Sequence, residues 1–256
     1  MTAVRYEWAR LATGRGLWWS GLGALAVGAA TTWAGARELD AMPVRAADAA
    51  QLVTAGTVGS TTPLAVLVVA FAAVLACARE QRAAALPALL IALPHRTRTL
   101  AAKVAVTALL AVTIACVGVV VNAAVATARF GSGFRELAWD QAPAPRILLG
   151  YAAYLGLAAC LGLAVGIVTR GSAIAAVGLA VFPLALEPLA GRAAELALAE
   201  PYRDAVRYLP FHAADRMLSV GDPATGLSPG TGALTFACWT AAGLLTAAIV
   251  FARREA

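Results

Sequence analysis

The sequence predicts an all-α integral membrane protein that crosses the bilayer six times. Three observations point there. Of the 256 residues, 61% are apolar and 13% charged, against roughly 25% charge in a soluble domain; the mean hydropathy is +0.77. Runs of apolar residues long enough to span hydrocarbon recur six times. Lysine and arginine gather in alternate connections between those runs. The first observation excludes an ordinary soluble enzyme, whose surface could not be covered by so few charges, and the apolar content excludes a disordered chain.

The six runs are 17–35, 60–78, 104–128, 147–169, 172–190 and 233–251. About 20 residues at 1.5 Å rise cross about 30 Å of hydrocarbon. Five runs contain no Asp, Glu, Lys or Arg, and the fifth run carries Glu187 near its end. Backbone exposed to lipid has to satisfy its own hydrogen bonds, so each run reads as a helix. No alternating pattern near ten residues suggests a barrel. Alanine fills 66 positions and is only mildly apolar, so the span edges are soft. Residues 1–256 read as a single transmembrane domain.

Orientation follows from the connections. With the N-terminus inside, the inner segments 1–16, 79–103, 170–171 and 252–256 hold 11 basic and 3 acidic residues in 48 positions. The outer segments 36–59, 129–146 and 191–232 hold 9 basic and 10 acidic residues in 84. The positive-inside rule then places both termini in the cytoplasm. The net charge of +6 reflects this asymmetry and does not argue for nucleic-acid binding. Ala34-Gly35-Ala36 resembles a signal-peptide cleavage site, but the first apolar run is long for a signal h-region. It is expected to stay as a span.

Three connections have character of their own. In 1–16, Val4, Trp8 and Leu11 recur at helical spacing, with Arg5, Arg10 and Arg15 elsewhere around the wheel. That pattern predicts a basic amphipathic helix lying on the inner membrane surface, with Trp18 and Trp19 at the interface. In 79–103, an apolar run over 83–94 is too short to cross and is broken by Pro87 and Pro94. It lies between Arg79, Glu80 and Arg82 on one side and His95, Arg96, Arg98 and Lys103 on the other. A short interfacial helix between basic clusters suits docking of a cytoplasmic partner; a plain positive-inside loop fits the composition equally well. The outer segment 191–232 has helical pieces around 192–199 and 202–208, divided by Pro201 and closed by Pro210. It reads as a cap or re-entrant hairpin followed by turns.

Several motifs fail on context. Lys103 is the only lysine, and it sits in Ala101-Ala102-Lys103-Val104, so the chain has no P-loop. Gly226-Leu227-Ser228-Pro229-Gly230 fits the G-x-S-x-G elbow, but turn residues precede it, and Pro229 lacks the N–H an oxyanion hole requires. Gly21-Leu22-Gly23-Ala24-Leu25-Ala26 imitates a dinucleotide fingerprint inside a membrane helix, where it can mean only close helix packing. His95 and His212 fall on opposite faces of the membrane, which excludes a shared metal site. Cys77, Cys116, Cys160 and Cys238 lie in four different spans and read as small packing residues. Gly162 and Gly166 form a GxxxG pair, a weak pointer to a dimer face. Polar residues inside the spans are sparse, and Asn122 in the third and Glu187 in the fifth are the candidates for a substrate path. The competing readings are an interhelical hydrogen bond for Asn122 and solvation at a helix end for Glu187.

Taken together, the chain resembles the permease subunits of type 2 ABC exporters, especially their actinobacterial branch. Val4-Arg5-Tyr6-Glu7-Trp8-Ala9-Arg10-Leu11, with Gly14-Arg15 and Trp18-Trp19, looks like the family's surface helix leading into the first span. Arg79-Glu80, Leu93-Pro94-His95-Arg96-Thr97-Arg98 and Leu100-Ala101-Ala102-Lys103 are similar to its inner loop between spans two and three. The long outer segment with Tyr208-Leu209-Pro210 is like its extracellular re-entrant helices. The sequence departs from the family at Ala83-Ala84-Ala85, where Gly-Thr is common after the glutamate.

The resemblance implies a division of labour. A separate cytoplasmic ATPase binds ATP and Mg, and this chain carries no cofactor and no catalytic site. Glu80, Arg82, Pro94, His95, Arg96, Arg98 and Lys103 would couple to that ATPase through a helix in the inner loop. Arg5, Glu7, Trp8 and Arg10 would belong to the surface helix, in contact with membrane lipids. Two permease chains, identical or paralogous, would pair in a bacterial inner membrane. The alternative from another class is a non-transporting membrane anchor or immunity protein that binds a partner.

Overall fold

A computed structural model describes residues 3–13, 15–39, 44–56, 62–82, 96–134, 136–137, 139–196, 204–220 and 227–253. Every regular element among them is helical. In chain order these are α1 (Ala3–Thr13), α2 (Arg15–Glu38), α3 (Ala46–Ala55), α4 (Leu64–Arg82) and α5 (Arg96–Phe130), then α6 (Ala144–Val168), α7 (Ala173–Val181), α8 (Glu187–Leu196), α9 (Pro210–Asp215) and α10 (Pro229–Arg253). A 3₁₀ turn at Ser132–Phe134 follows α5, and a wide turn at Phe182–Leu186 joins α7 to α8.

Among the described residues, four stretches are long and apolar enough to cross a membrane: Thr97–Phe130, Ala144–Val168, Ala173–Ala194 and Pro229–Arg253. They coincide with the last four apolar runs of the sequence. Their outer surfaces carry Leu109, Val120, Leu149, Ile174, Leu184, Leu234 and Leu245, all exposed. An exterior of this kind suits hydrocarbon and not water, and the chain is a multi-pass helical membrane protein. The first two runs also fall in helices. α2 has 24 residues, but glycine, serine and threonine dilute its apolar character. The apolar part of α4, Leu64–Cys77, is shorter than a span.

α6 is the central post. It packs against α3, α4, α5, α7 and α10, and it buries Ile147, Tyr151, Tyr154, Leu155 and Leu163. The contact with α4 is close, because small residues let the two backbones meet. A Cβ on Gly162 would fall 2.3 Å from the Ala70 carbonyl oxygen, and one on Gly166 would lie 3.0 Å from the Val74 Cα. The Gly162–Gly166 pair is therefore consumed inside the chain and forms no outward dimer face.

Those two contacts also fix a register. Gly162 faces Ala70 and Gly166 faces Val74, so α4 and α6 run side by side with a constant offset. Leu64 then lies level with Gly156, and the first twelve residues of α6, about 18 Å at 1.5 Å per residue, rise beyond the start of α4. Two short helices fill that space. α3 packs on α6 and α5, burying Ala49, Ala50, Leu52 and Val53. α9 and the turn after it bury Phe211, Ala213, Ala214, Met217 and Leu218 against Tyr151, Tyr154, Leu155 and Phe236. The ring centroids of Phe211 and Tyr154 each lie within 6 Å of Phe236, at 5.7 and 5.4 Å. In the long 191–232 connection, where the sequence suggested helical pieces around 192–199 and 202–208 closed by Pro210, Pro210 instead opens a helix, and Pro210–Ser219 is a core element. Residues 197–203 and the turns at 221–226 lie outside the described residues.

α5 has 35 residues, about 52 Å of helix at 1.5 Å per residue, well beyond the thickness of hydrocarbon. It begins at Arg96, eight residues before the apolar run. Basic side chains end an apolar pattern without ending a helix, so Arg96, Arg98 and Lys103 form its first turns and not a loop. The 83–94 run, with Pro94 and His95, lies outside the described residues.

Candidate functional site

Polar chemistry collects at two places, one toward each end of α5. At the first, α1 packs on the N-terminal turns of α5 and on α2. The Lys103 ammonium donates to Glu7 Oε1 at 2.7 Å, with the side chains 3% and 1% exposed. On the same short helix, Arg5 is exposed, and Val4 and Trp8 are about half exposed. A soluble protein would turn the indole inward and the carboxylate outward. The opposite arrangement suits a helix whose outer surroundings are apolar or interfacial.

The second place is the end of the bundle filled by α3 and α9. A helix leaves four N–H and four C=O groups unpaired at its ends, and without water these need side-chain partners. α9 can be accounted for donor by donor. Pro210 has no N–H. Phe211 and His212 donate their backbone N–H to Glu187 Oε1 and Oε2, at 2.9 and 2.6 Å. Ala213 donates to the Leu209 carbonyl at 2.8 Å. Beyond the helix, Arg146 donates to the carbonyls of Met217 and Ser219, at 3.3 and 2.7 Å. Gln51 of α3 donates to the Leu218 carbonyl at 2.9 Å.

The C-terminal carbonyls of α3 are satisfied in the same way. Thr32 donates to Leu52 O at 3.2 Å, and Asn122 Nδ2 to Val53 O at 2.8 Å. Gly28 makes room for the amide, since a Cβ there would lie 3.2 Å from both Asn122 terminal atoms. Asn122 Oδ1 is buried with no hydrogen-bond partner among the described residues. The helix closes on Gly56, whose φ of 77° only glycine adopts cheaply. Its carbonyl sits where a Cβ of Gly35 would be, so both glycines are needed for α2 and α3 to touch.

Asp215, at the last position of α9, completes this end. Its carboxylate accepts from the Tyr154 hydroxyl and from the Thr62 hydroxyl, each at 3.0 Å. Burial pushes its pKa up to about 7; the two hydroxyls and Arg216 pull it down, and the nearby Glu187 adds to the rise. The imidazole of His212 is held below its ordinary pKa by burial and by the charges of Arg216 and Arg207.

The residues singled out in the sequence fall as follows. Glu7, Trp8, Arg5 and Lys103 meet at the first place, with Arg98 exposed on the next turn of α5. Lys103 is buried against Glu7, so it holds α1 and presents no ammonium to a partner. The backbones of Arg10 and Arg96 lie in α1 and α5, and those of Glu80 and Arg82 in the last turn of α4. Asn122 makes the interhelical hydrogen bond expected of it. Glu187 is neither solvated at a helix end nor open to a path: its side chain is buried and both oxygens cap α9. Ser228 of the false elbow caps α10, accepting from the Thr231 N–H at 3.1 Å. Cys77 and Cys160 are buried, Cys116 and Cys238 are exposed, and no disulfide joins them. Arg146, Gln51, Thr32 and Asp215 were not singled out. Arg146 borders the run 147–169 and Thr32 lies inside 17–35, but Gln51 and Asp215 adjoin no run and carried no signal. No protein-family model and no curated protein matches the chain.

Proposed function

We propose that this chain is the permease subunit of a type 2 ABC exporter, working as a pair of permease chains with a separate cytoplasmic ATPase. On this reading α2 and α4 also cross the membrane, giving six spans with both termini in the cytoplasm of a bacterial cell. α3 and α9 are then re-entrant from the outer side. Glu80, Arg82, Arg96 and Arg98 face the ATPase, together with Pro94 and His95 of the inner loop. ATP and Mg are bound by the partner, and this chain supplies the passage and the mechanical link.

One observation carries the reading. The buried Glu7–Lys103 pair ties the amphipathic surface helix to the base of a long helix, directly after the basic inner loop. A push delivered to that loop would move α1 and α5 as one body, which is what a transporter driven by a separate motor needs.

The test is co-purification of the tagged chain with the ATPases encoded beside it, for the wild type and for Arg96→Glu/Arg98→Glu. The expected result is a stoichiometric ATPase with the wild type and loss of it with the double variant, which stays in the membrane. A wild type that brings down no ATPase, or transport unchanged in the double variant, would overturn the proposal.

A further inference from the structure

We infer that the furrow between α10 and the turn at 204–209 is filled with water, as a recess that opens where α10 begins and reaches into the depth of the hydrocarbon. Only the crossing of the membrane by α10 is required, not the exporter reading. Two contacts fix how deep the turn hangs. A Cβ on Gly232 would fall 2.3 Å from the Ala213 carbonyl oxygen. The Trp239 indole N–H donates to the Tyr208 carbonyl at 2.9 Å. Traced back from Ala213 to Tyr208, the chain therefore descends along α10 from the level of Gly232 toward that of Trp239.

The edges of the hydrocarbon can be placed on α10, which ends at Arg253. Phe236 packs on Tyr154 and Gly243 on Leu161. α10 thus runs parallel to α6 in a fixed register, and Arg253 lies level with Arg170, just past the end of α6. These two arginines mark one edge. About 20 residues span the hydrocarbon, which puts the other edge at about residue 233. Trp239 lies six residues inside that edge, about 9 Å. Side chains on a helix lean toward its start, which leaves the Tyr208 carbonyl about one helical turn, about 5 Å, below the edge.

What hangs there is unsuited to lipid. The turn is held by the N–H groups of Arg207, Tyr208 and Leu209, which donate to the carbonyls of Asp204, Ala205 and Val206 at 3.1–3.2 Å. Asp204 and Arg207 pair at 3.1 Å, with side chains 65% and 47% exposed. Irregular backbone and charged groups occur at this depth only inside protein or beside water. The described residues leave the pair uncovered, and a second copy seated on it would have to strip water from both charges. The furrow beside the turn is walled by Tyr208, Thr231, Leu234, Thr235, Cys238 and Trp239. Its volume of about 430 Å³ has room for several water molecules. Tyr208 and Trp239 are both about half exposed, and their rings, apolar with one polar tip, suit a boundary between water and hydrocarbon.

The test uses the chain's own cysteines as reporters. The probe is a methanethiosulfonate carrying a fixed ammonium charge, which enters water and not lipid and reacts with the thiolate. It is applied to the full chain in lipid nanodiscs, where both membrane faces meet the reagent, and each site is read by peptide mass spectrometry. Cys238 and Cys116 are both exposed, but Cys116 lies at the centre of the α5 apolar run. A thiol facing hydrocarbon does not ionise, so Cys238 is expected to react at least about tenfold faster than Cys116. With Cys238→Ser as background, Thr231→Cys at the mouth is expected to react as fast as Cys238. Leu245→Cys, exposed on α10 beyond the furrow, is expected to be as slow as Cys116. Cys238 or Thr231→Cys labelled no faster than Cys116, as under a cover of lipid or of a second copy, would overturn the recess. So would Leu245→Cys labelled as fast as Cys238.

Discussion

Removing one partner of the Glu7–Lys103 pair should release α1 from α5. At 2.7 Å and an effective dielectric constant of about 20, the gross attraction is about 6 kcal/mol. Desolvation of two ions offsets most of it, so the pair itself adds little net stability. Breaking it is another matter, because the remaining charge stays buried with that counter-charge gone, at a cost of up to about 3–5 kcal/mol. Glu7→Ala and Lys103→Ala should therefore each shift the docking equilibrium of α1 by a factor of up to about several thousand. The assay is protease sensitivity of residues 3–13 in membranes, read with thermal stability. Glu7→Lys/Lys103→Glu restores opposite charges and should recover much of the loss, and Glu7→Met/Lys103→Met should behave near the wild type. If both single variants match the wild type within about 0.5 kcal/mol, or if the exchanged pair is no better than either single, the clamp is not what holds α1.

Three further outcomes are expected. Gly162→Ala places a methyl against the Ala70 carbonyl and should lower stability by at least about 1–3 kcal/mol; Gly178→Ala, where a Cβ meets nothing within 4 Å, should be neutral or slightly stabilising, and parallel thermal melts compare the two. Glu187→Ala orphans the buried Phe211 N–H and the partly buried His212 N–H and should cost about 1–3 kcal/mol for the first and less for the second, whereas Glu187→Gln keeps one acceptor and should cost less, as read by hydrogen exchange over 210–215. Ser228→Ala removes the N-cap of α10 and should cost about 0.5–2 kcal/mol without altering the rest of the bundle.

The long helices were legible because hydrocarbon leaves a plain record. Runs 147–169 and 233–251 became α6 and α10 within a few residues at each end. The start of α5 was not legible from hydropathy, since Arg96, Arg98 and Lys103 interrupt the apolar run while the backbone goes on coiling. α3 and α9 were harder still. Ala46–Ala55 and Pro210–Asp215 are short and mixed in polarity, and they are buried only because α6 overtops α4. That difference in height arises from packing between elements far apart in sequence. The same gap explains the polar residues. Asn122 and Glu187 stood out as charges or amides in apolar runs, but the groups they serve, Val53 O and the N–H of Phe211 and His212, are backbone atoms with no signature of their own. Glu7 and Lys103 were both singled out, and only the fold shows that they touch.

The wide turn at Phe182–Leu186 sets the rotational phase of everything after it. There the Glu187 N–H reaches back five residues to the Phe182 carbonyl, so the chain holds one more residue than an uninterrupted α-helix would need. Each residue of an α-helix advances the side-chain direction by about 100°. Wound as an uninterrupted α-helix with the same residues, the segment would turn Glu187 by about that angle, away from the backbone of α9; removing one residue, for instance Ala185, would take out the surplus and let the helix run straight through with Glu187 still in place. The turn is thus an angular gear: it leaves α7 free to present Ile174 and Val177 outward while aiming one carboxylate, ten residues on, at the heart of the bundle.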